Sequence, residues 1–299
     1  MTSAAVLVGD TRNYIRAGRV PHIDEVGEAY EPGSGVLKLK HSNRGILPST
    51  VLSVGWSDFY VWEYDQGSQT AQVRAGWNGS PDVEHEPGDL VVSETRWTDW
   101  QILGQLNLEL SSLSGQGGLW ERLVCYNTWD GSHTSFDLAF ERPVARVLAV
   151  EAESARTWEW WQLNPSSWRF TGDAMVDEFP SGQSLSIYNF DFMSAGRRLR
   201  TQGAAPLLPL EPDSTDAAAS TGLAPSALDV PMLGVAARLA GLEEQRRNQL
   251  DAAGDPAKVE RVPMTAWTSV ARDLRRTYEG RLAEERANLL ALTPYRRGV

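Results

Sequence analysis

The chain is nearly without cysteine and nearly without lysine. Cys125 is the only cysteine in 299 residues. That excludes an internal disulfide and a metal site built from thiolates, and it predicts a chain made in a reducing interior. Lysine occurs only as Lys38, Lys40 and Lys258. The other cations are arginines, whose rigid fork suits fixed ion pairs and interfaces. No apolar run approaches the roughly 18 residues of a bilayer-spanning helix, so no membrane partner is expected. The stretch Met1–Val8 lacks the basic lead and long apolar core of a secretory signal. With no secretion route, Asn78-Gly79-Ser80 reads as a turn rather than a glycosylation acceptor.

The usual signatures of chemistry are also missing. The four histidines, His22, His41, His85 and His133, are never three or four residues apart, so helical metal-ligand spacing is absent. No phosphate-cradling loop, nucleotide fingerprint or serine elbow occurs. His133 follows Asp130-Gly131-Ser132 and reads as a solvent-facing loop residue, not a catalytic base. Asp82, Glu84, Glu86 and Asp89 are the densest acidic group. Calcium is the functional reading of that group. Its spacing fits no known loop, and a solvated acidic turn is the reading adopted. No enzyme activity, no cofactor and no metal are expected. The net charge of −11 argues against broad nucleic-acid binding, which depends on neutralising phosphates.

What the chain has is tryptophan, twelve in all. Tryptophan is enriched in cores and at protein contacts, so a large interface load is expected. Trp56, Tyr60, Trp62, Tyr64 and Trp77 could stack sugars or bases. So could Trp158, Trp160 and Trp161, with Trp158 and Trp160 on one strand face as a binding platform. The reading preferred for all of them is core and subunit interface.

Period and composition divide the chain into five regions. Residues 1–35 read as an N-terminal arm, or else a short strand with loops. Residues 36–97 read as a small β-rich barrel or sandwich, with strands at Val36–Lys40, Val51–Val54, Phe59–Tyr64, Thr70–Ala75 and Gly88–Val92. Residues 98–202 hold a helix and a β insertion. Thr98 and Gln101 form a capping box ahead of Trp100, Leu103, Leu106 and Leu110, and Gly115, Gly117 and Gly118 end that helix. Within the insertion, Phe136–Phe140 and Ala145–Val150 read as strands. Trp158–Leu163 and Ser184–Tyr188 read as two strands of one sheet, with a turn at Phe179–Gly182. Residues 203–228, rich in Ala, Pro, Ser and Asp, read as a linker. Residues 229–299 are helical. Asp229 caps the first helix and Pro231 sits in its first turn. A second helix from about Pro263 to Leu292 carries Trp267, Val270, Leu274, Tyr278, Leu282 and Leu289 on one face. The whole is an α+β chain with long C-terminal helices.

Four blocks, in order, resemble virion proteins of phages of actinobacteria. They are Gly76-Trp77-Asn78-Gly79-Ser80 followed by His85–Val91, the helix Trp100–Leu113, the strand Phe179–Tyr188, and Asp229–Leu239. The resemblance spans about 36–299. The order helix, β insertion, helix pair also resembles the head-to-tail adaptors of tailed phages, which form a ring under the portal. This chain departs from the simplest adaptors in carrying a sizeable β region before its first helix.

The resemblance implies a structural protein of the virion neck, assembled in the host cytoplasm. Its partners would be the portal protein, the next neck or tail protein, and copies of itself in a ring, dodecameric as in that class. DNA would be only passing cargo. Residues 229–299 hold 12 Lys/Arg against 10 Asp/Glu, so the negative excess lies before them. An acidic channel wall would keep DNA from sticking. The other role left open is a minor tail or carbohydrate-binding tail-tip protein. Interface candidates are Trp267 and Tyr278 on the last helix and Tyr295, Arg296 and Arg297 beyond Pro294. Those last three read equally as an anchor or as a frayed end.

Overall fold

The structure, a computed structural model, describes residues 2–15, 22–41, 46–93, 97–154, 159–188, 195–252 and 266–292. Among these the elements run α1 (Ala4–Ile15), β1 (His22–Glu25), β2 (Val36–Lys38), β3 (Val51–Val54), β4 (Ser57–Asp65), β5 (Thr70–Arg74), β6 (Leu90–Ser93) and α2 (Asp99–Ser112). They continue with β7 (Glu121–Thr128), β8 (Ser135–Asp137), β9 (Arg146–Glu153), β10 (Trp160–Gln162), β11 (Trp168–Thr171), β12 (Ser184–Ile187) and β13 (Arg198–Ala205). Last come α3 (Ala217–Thr221), α4 (Asp229–Ala252) and α5 (Ala266–Leu292). The mixture is the expected α+β class.

Two compact units divide the chain. The first takes Met1–Glu109, Leu210–Ala217 and Asp229–Tyr278. Its sheet has the order β1-β6-β3-β4-β5-β2, and the two outer strands meet through an antiparallel Val26–Leu39 bridge. Gly27 N–H donates to the Lys38 carbonyl at 2.8 Å and Lys40 N–H to the Glu25 carbonyl at 2.9 Å. Inside the curl Tyr30, Leu37, Leu39, Leu52, Phe59 and Val61 are fully buried. Trp62 follows buried Val61 on the outer face, 61% exposed, and a bulge between Val61 and Glu63 then shifts the alternation so that Tyr64 packs on the core.

The capping box forms as read. Gln101 N–H donates to Thr98 Oγ1 at 3.2 Å, and Thr98 N–H donates to Gln101 Oε1 at 3.1 Å. Thr98 also donates its hydroxyl to Asp58 Oδ2 at 2.6 Å, and Ser53 donates to Oδ1 at 2.9 Å. These bonds satisfy a carboxyl that burial pushes above its usual range.

The described part of residues 1–35 is not an arm; it holds the short strand of the alternative reading, β1, and a helix that neither reading includes. α1 buries Ala4, Leu7, Val8 and Thr11, an i, i+3, i+4, i+7 face, and packs against α4. β1 then enters the six-stranded sheet. Alanine and threonine fill half of the buried α1 face, so its hydrophobic pattern in the sequence is weak. The sequence of α4 marks one face with Leu233, Ala236, Ala237 and Ala240; Leu233, Ala236 and Ala240 are buried, Ala237 is half-buried, and Val230, Val235 and Leu239 are buried as well.

The second unit takes Leu110–Pro209, Ala218–Leu228 and Glu279–Val299. A four-stranded sheet, β10-β9-β13-β7, faces a three-stranded one, β11-β12-β8. Cys125, Val150, Ala152 and Leu199 from the first sheet and Phe136, Leu185 and Ile187 from the second share one core. The segments around Trp160 and Ser184 therefore do not pair in one sheet. β10 pairs β9, while β12 lies between β11 and β8.

Residues 203–228 are not a loose linker. β13 runs to Ala205, α3 follows, and Leu207, Leu210, Ala217, Leu223, Ala227 and Leu228 are buried. Arg142 donates to the Pro206 carbonyl at 2.7 Å and pairs with Glu121. Gly222 sits at φ +77°, where a Cβ would strike the Glu121 carboxylate. Small residues here mark close packing, not slack.

Candidate interaction face

In the second unit, alternation along each strand sends one set of side chains to the shared core and the other set outward. Register aligns the outward set. Gln162 faces Glu151, Glu151 faces Arg200, and Arg200 faces Tyr126. In the next row Trp160 faces Glu153.

Charge pairs cross these rows. Arg200 Nε lies 2.6 Å from Glu151 Oε2, which also accepts from Gln202 Nε2 at 2.7 Å. Arg198 Nη2 lies 3.0 Å from Glu153 Oε1. The Arg198 hydrogen bond holds the Glu153 carboxyl below its usual range, and the Glu151 hydrogen bond raises Arg200. The Trp160 ring stands 4.6 Å from the Arg200 guanidinium carbon and 5.6 Å from that of Arg198. It also leans to within 6.0 Å of the Tyr126 ring. Rings from the two outermost strands thus close over the charge ladder. The result is a preorganised surface of aromatic rings and guanidinium groups, with Tyr126 and Val124 exposed beside it.

Of the proposed platform, Trp160 belongs to this face, but its ring is engaged by arginines. Trp158 lies outside the described residues. Trp161 points to the other face and is 63% exposed. In the first unit, Tyr60 and Trp77 stack on each other at 4.6 Å, and Tyr64 packs on the core.

Tyr278 is not a free anchor. It is half-buried, and its hydroxyl donates to Glu109 Oε1 at 2.8 Å. Trp267 opens α5, but its side chain lies outside the described residues, as do Tyr295, Arg296 and Arg297. Elsewhere α5 turns inward along a narrow seam of Leu274, Tyr278, Leu282, Glu285 and Leu289, with most of its other side chains exposed.

His133 is 74% exposed; its ring contacts both Ser132 and Asp130 through Nδ1, and its backbone N–H donates to Asp130 Oδ1 at 3.0 Å. A nucleophile–base–orienter relay uses both ring nitrogens, so this trio lacks that geometry. Asp82 accepts from the Tyr30 hydroxyl at 2.9 Å and the Gly33 N–H at 3.0 Å, so it fastens its loop to the segment 30–33. Among the described residues no three of His, Cys, Asp and Glu are grouped to hold a metal ion.

The Arg198 and Arg200 ladder was missed in the sequence. The partners lie about forty to fifty positions away, and only strand register brings them together. Alternation of Arg198 and Arg200 with Leu199 and Thr201 was the one local signal. No protein-family model matches the chain, and no curated protein matches it.

Proposed function

We propose that this chain is a structural assembly protein of a tailed-phage particle, a head-to-tail adaptor that joins the portal to the tail around the DNA channel. The role is mechanical. The observation that carries it is α5. This helix has 27 residues, about 40 Å at 1.5 Å per residue. It lies on one narrow seam and leaves most of its surface open, as a helix does when a further layer is to be laid on it. The ordered blocks that resemble actinobacterial phage virion proteins support the same reading, as does the scarcity of lysine beside abundant arginine.

Co-expression with the portal encoded in the same genome tests it. Stoichiometric co-purification, with a ring of the chain on the portal in electron micrographs, is expected. A chain that binds no virion component would overturn the reading.

Trp62 and Trp161, both more than 60% exposed, favour a second reading, a glycan-binding protein of the tail tip. Glycan binding by the monomer, with no portal binding, would select it.

A further inference from the structure

The loop between β11 and β12 is a built knob. Ala174 N–H donates to the Gly182 carbonyl, Glu178 and Phe179 N–H both reach the Met175 carbonyl, and Gly182 N–H returns to the Phe179 carbonyl, all at 2.8–3.0 Å. On this fixed frame Met175 and Val176 stand 68% and 65% exposed. Adjacent apolar side chains held outward by their own backbone are unusual on a free surface, where apolar patches mark contact sites. Asp173, Asp177 and Glu178 flank them, all exposed and without an ion-pair partner among the described residues. The matching site must therefore be basic, with room for two apolar side chains.

The open side of α5 has those properties. At 100° per residue, Arg272, Arg276, Gly280 and Ala283 fall on one face, opposite the buried seam. All four are exposed, and Asp273 and Glu279 stand exposed at the two margins of the face, so its basic part is the Arg272–Arg276 pair. Neither arginine has an ion-pair partner among the described residues. Nothing lies within 4 Å of where a Gly280 Cβ would stand, so Gly280 and Ala283 leave a notch directly after the two guanidinium groups. Copies of a chain with net charge −11 repel one another unless opposite patches meet, and this is such a patch.

We propose that the Met175–Val176 knob of one copy docks in the Gly280–Ala283 notch of the next, with Asp177 and Glu178 on Arg272 and Arg276. The contact joins different surfaces, so it repeats head to tail and closes as a ring where the rotation allows. It deepens the adaptor reading, and as a ring contact it rests on that reading.

The test is disulfide trapping between two single-cysteine additions, Val176→Cys and Ala283→Cys, in separate full-length proteins. Cys125 is buried, stays in place, and the unaltered chain sets the background. Mixing the two proteins should give the mixed cross-link at least tenfold faster than either gives alone. D177R/E178R in the knob protein should abolish it, and R272E/R276E in the other should restore it. Gly280→Leu, which fills the notch at an exposed helical position, should abolish it while the monomer stays folded. A mixed rate no greater than background, or no effect of charge reversal, overturns the contact. Portal binding is read separately. Rings without the cross-link sink this contact alone, and the cross-link without portal binding sinks the adaptor reading alone.

Discussion

The Tyr278 hydroxyl meets Glu109, a carboxylate 3% exposed, at 2.8 Å. Arg238 pairs with the second oxygen of that carboxylate. Gly234 lies so close that an added Cβ would stand 2.7 Å from Glu109 Oε1 and 2.9 Å from the Tyr278 ring. One buried charge thus ties α2, α4 and α5 within the first unit. Tyr278→Phe removes one donor to a charged acceptor and should cost about 1.5–2 kcal/mol in urea denaturation. Gly234→Ala should cost at least about 2 kcal/mol, because the Glu109 carboxylate has nowhere to move.

Thr98→Ala should destabilise by about 2 kcal/mol. About half is the lost helix cap, and the rest is the donor withdrawn from buried Asp58. Thr98→Ser keeps both bonds and should lie within about 0.5 kcal/mol of the parent, the usual scatter of mild substitutions. Equal losses in the two variants would show that the hydroxyl is not what holds this corner.

Arg200→Ala strands Glu151, which is 5% exposed, with Gln202 still donating to it. Removing one partner of a buried pair should cost about 3 kcal/mol. Arg200→Lys keeps the charge but loses the planar fork over Trp160, and should fall between the two. Thermal unfolding of the three proteins checks the order.

His85 supplies a pH dependence. Burial between Tyr30 and Phe59 pushes its ring below the ordinary imidazole value of 6.5, and Asp89 at 3.5 Å only partly opposes this. The unfolded chain therefore binds the proton more readily. Stability is full above pH 6.5 and is lost as pH falls from there toward the folded-state value. The slope is at most about 1.4 kcal/mol per pH unit. His85→Phe should flatten the curve between pH 5 and 6.5 relative to the parent. Parallel curves would mean that His85 does not titrate differently on folding.

Local chemistry was the legible part of this fold. The Thr98–Gln101 capping box, the β4–β5 hairpin and the start of α4 at Asp229 each depend on neighbours within a few residues, and each is present. α1 and the stretch 203–228 were misread for a common reason. About half of their buried positions are held by small residues such as Ala4, Thr11, Ala217 and Ala227, interleaved with Leu and Val, and small residues become informative only when a partner presses on them, as Arg142 and Glu121 do at Gly222. The strand pairing of residues 160–188 was misread because two aromatic-rich strands near in sequence look like partners. The intervening Trp168–Thr171 strand, which takes the place beside β12, carries a weaker pattern. The interaction face was legible only as tryptophan. Its arginine half depends on the register of β13 between β7 and β9.

The Val26–Leu39 bridge has a mechanical consequence. Because it joins the two ends of the six-stranded sheet, no strand there can be peeled away one hydrogen bond at a time from an open border. A pull along any strand is resisted on both flanks at once, in shear. Rupture has to start at the bridge itself, where two backbone hydrogen bonds act as the clasp. Such a unit would yield late and abruptly under load, not gradually.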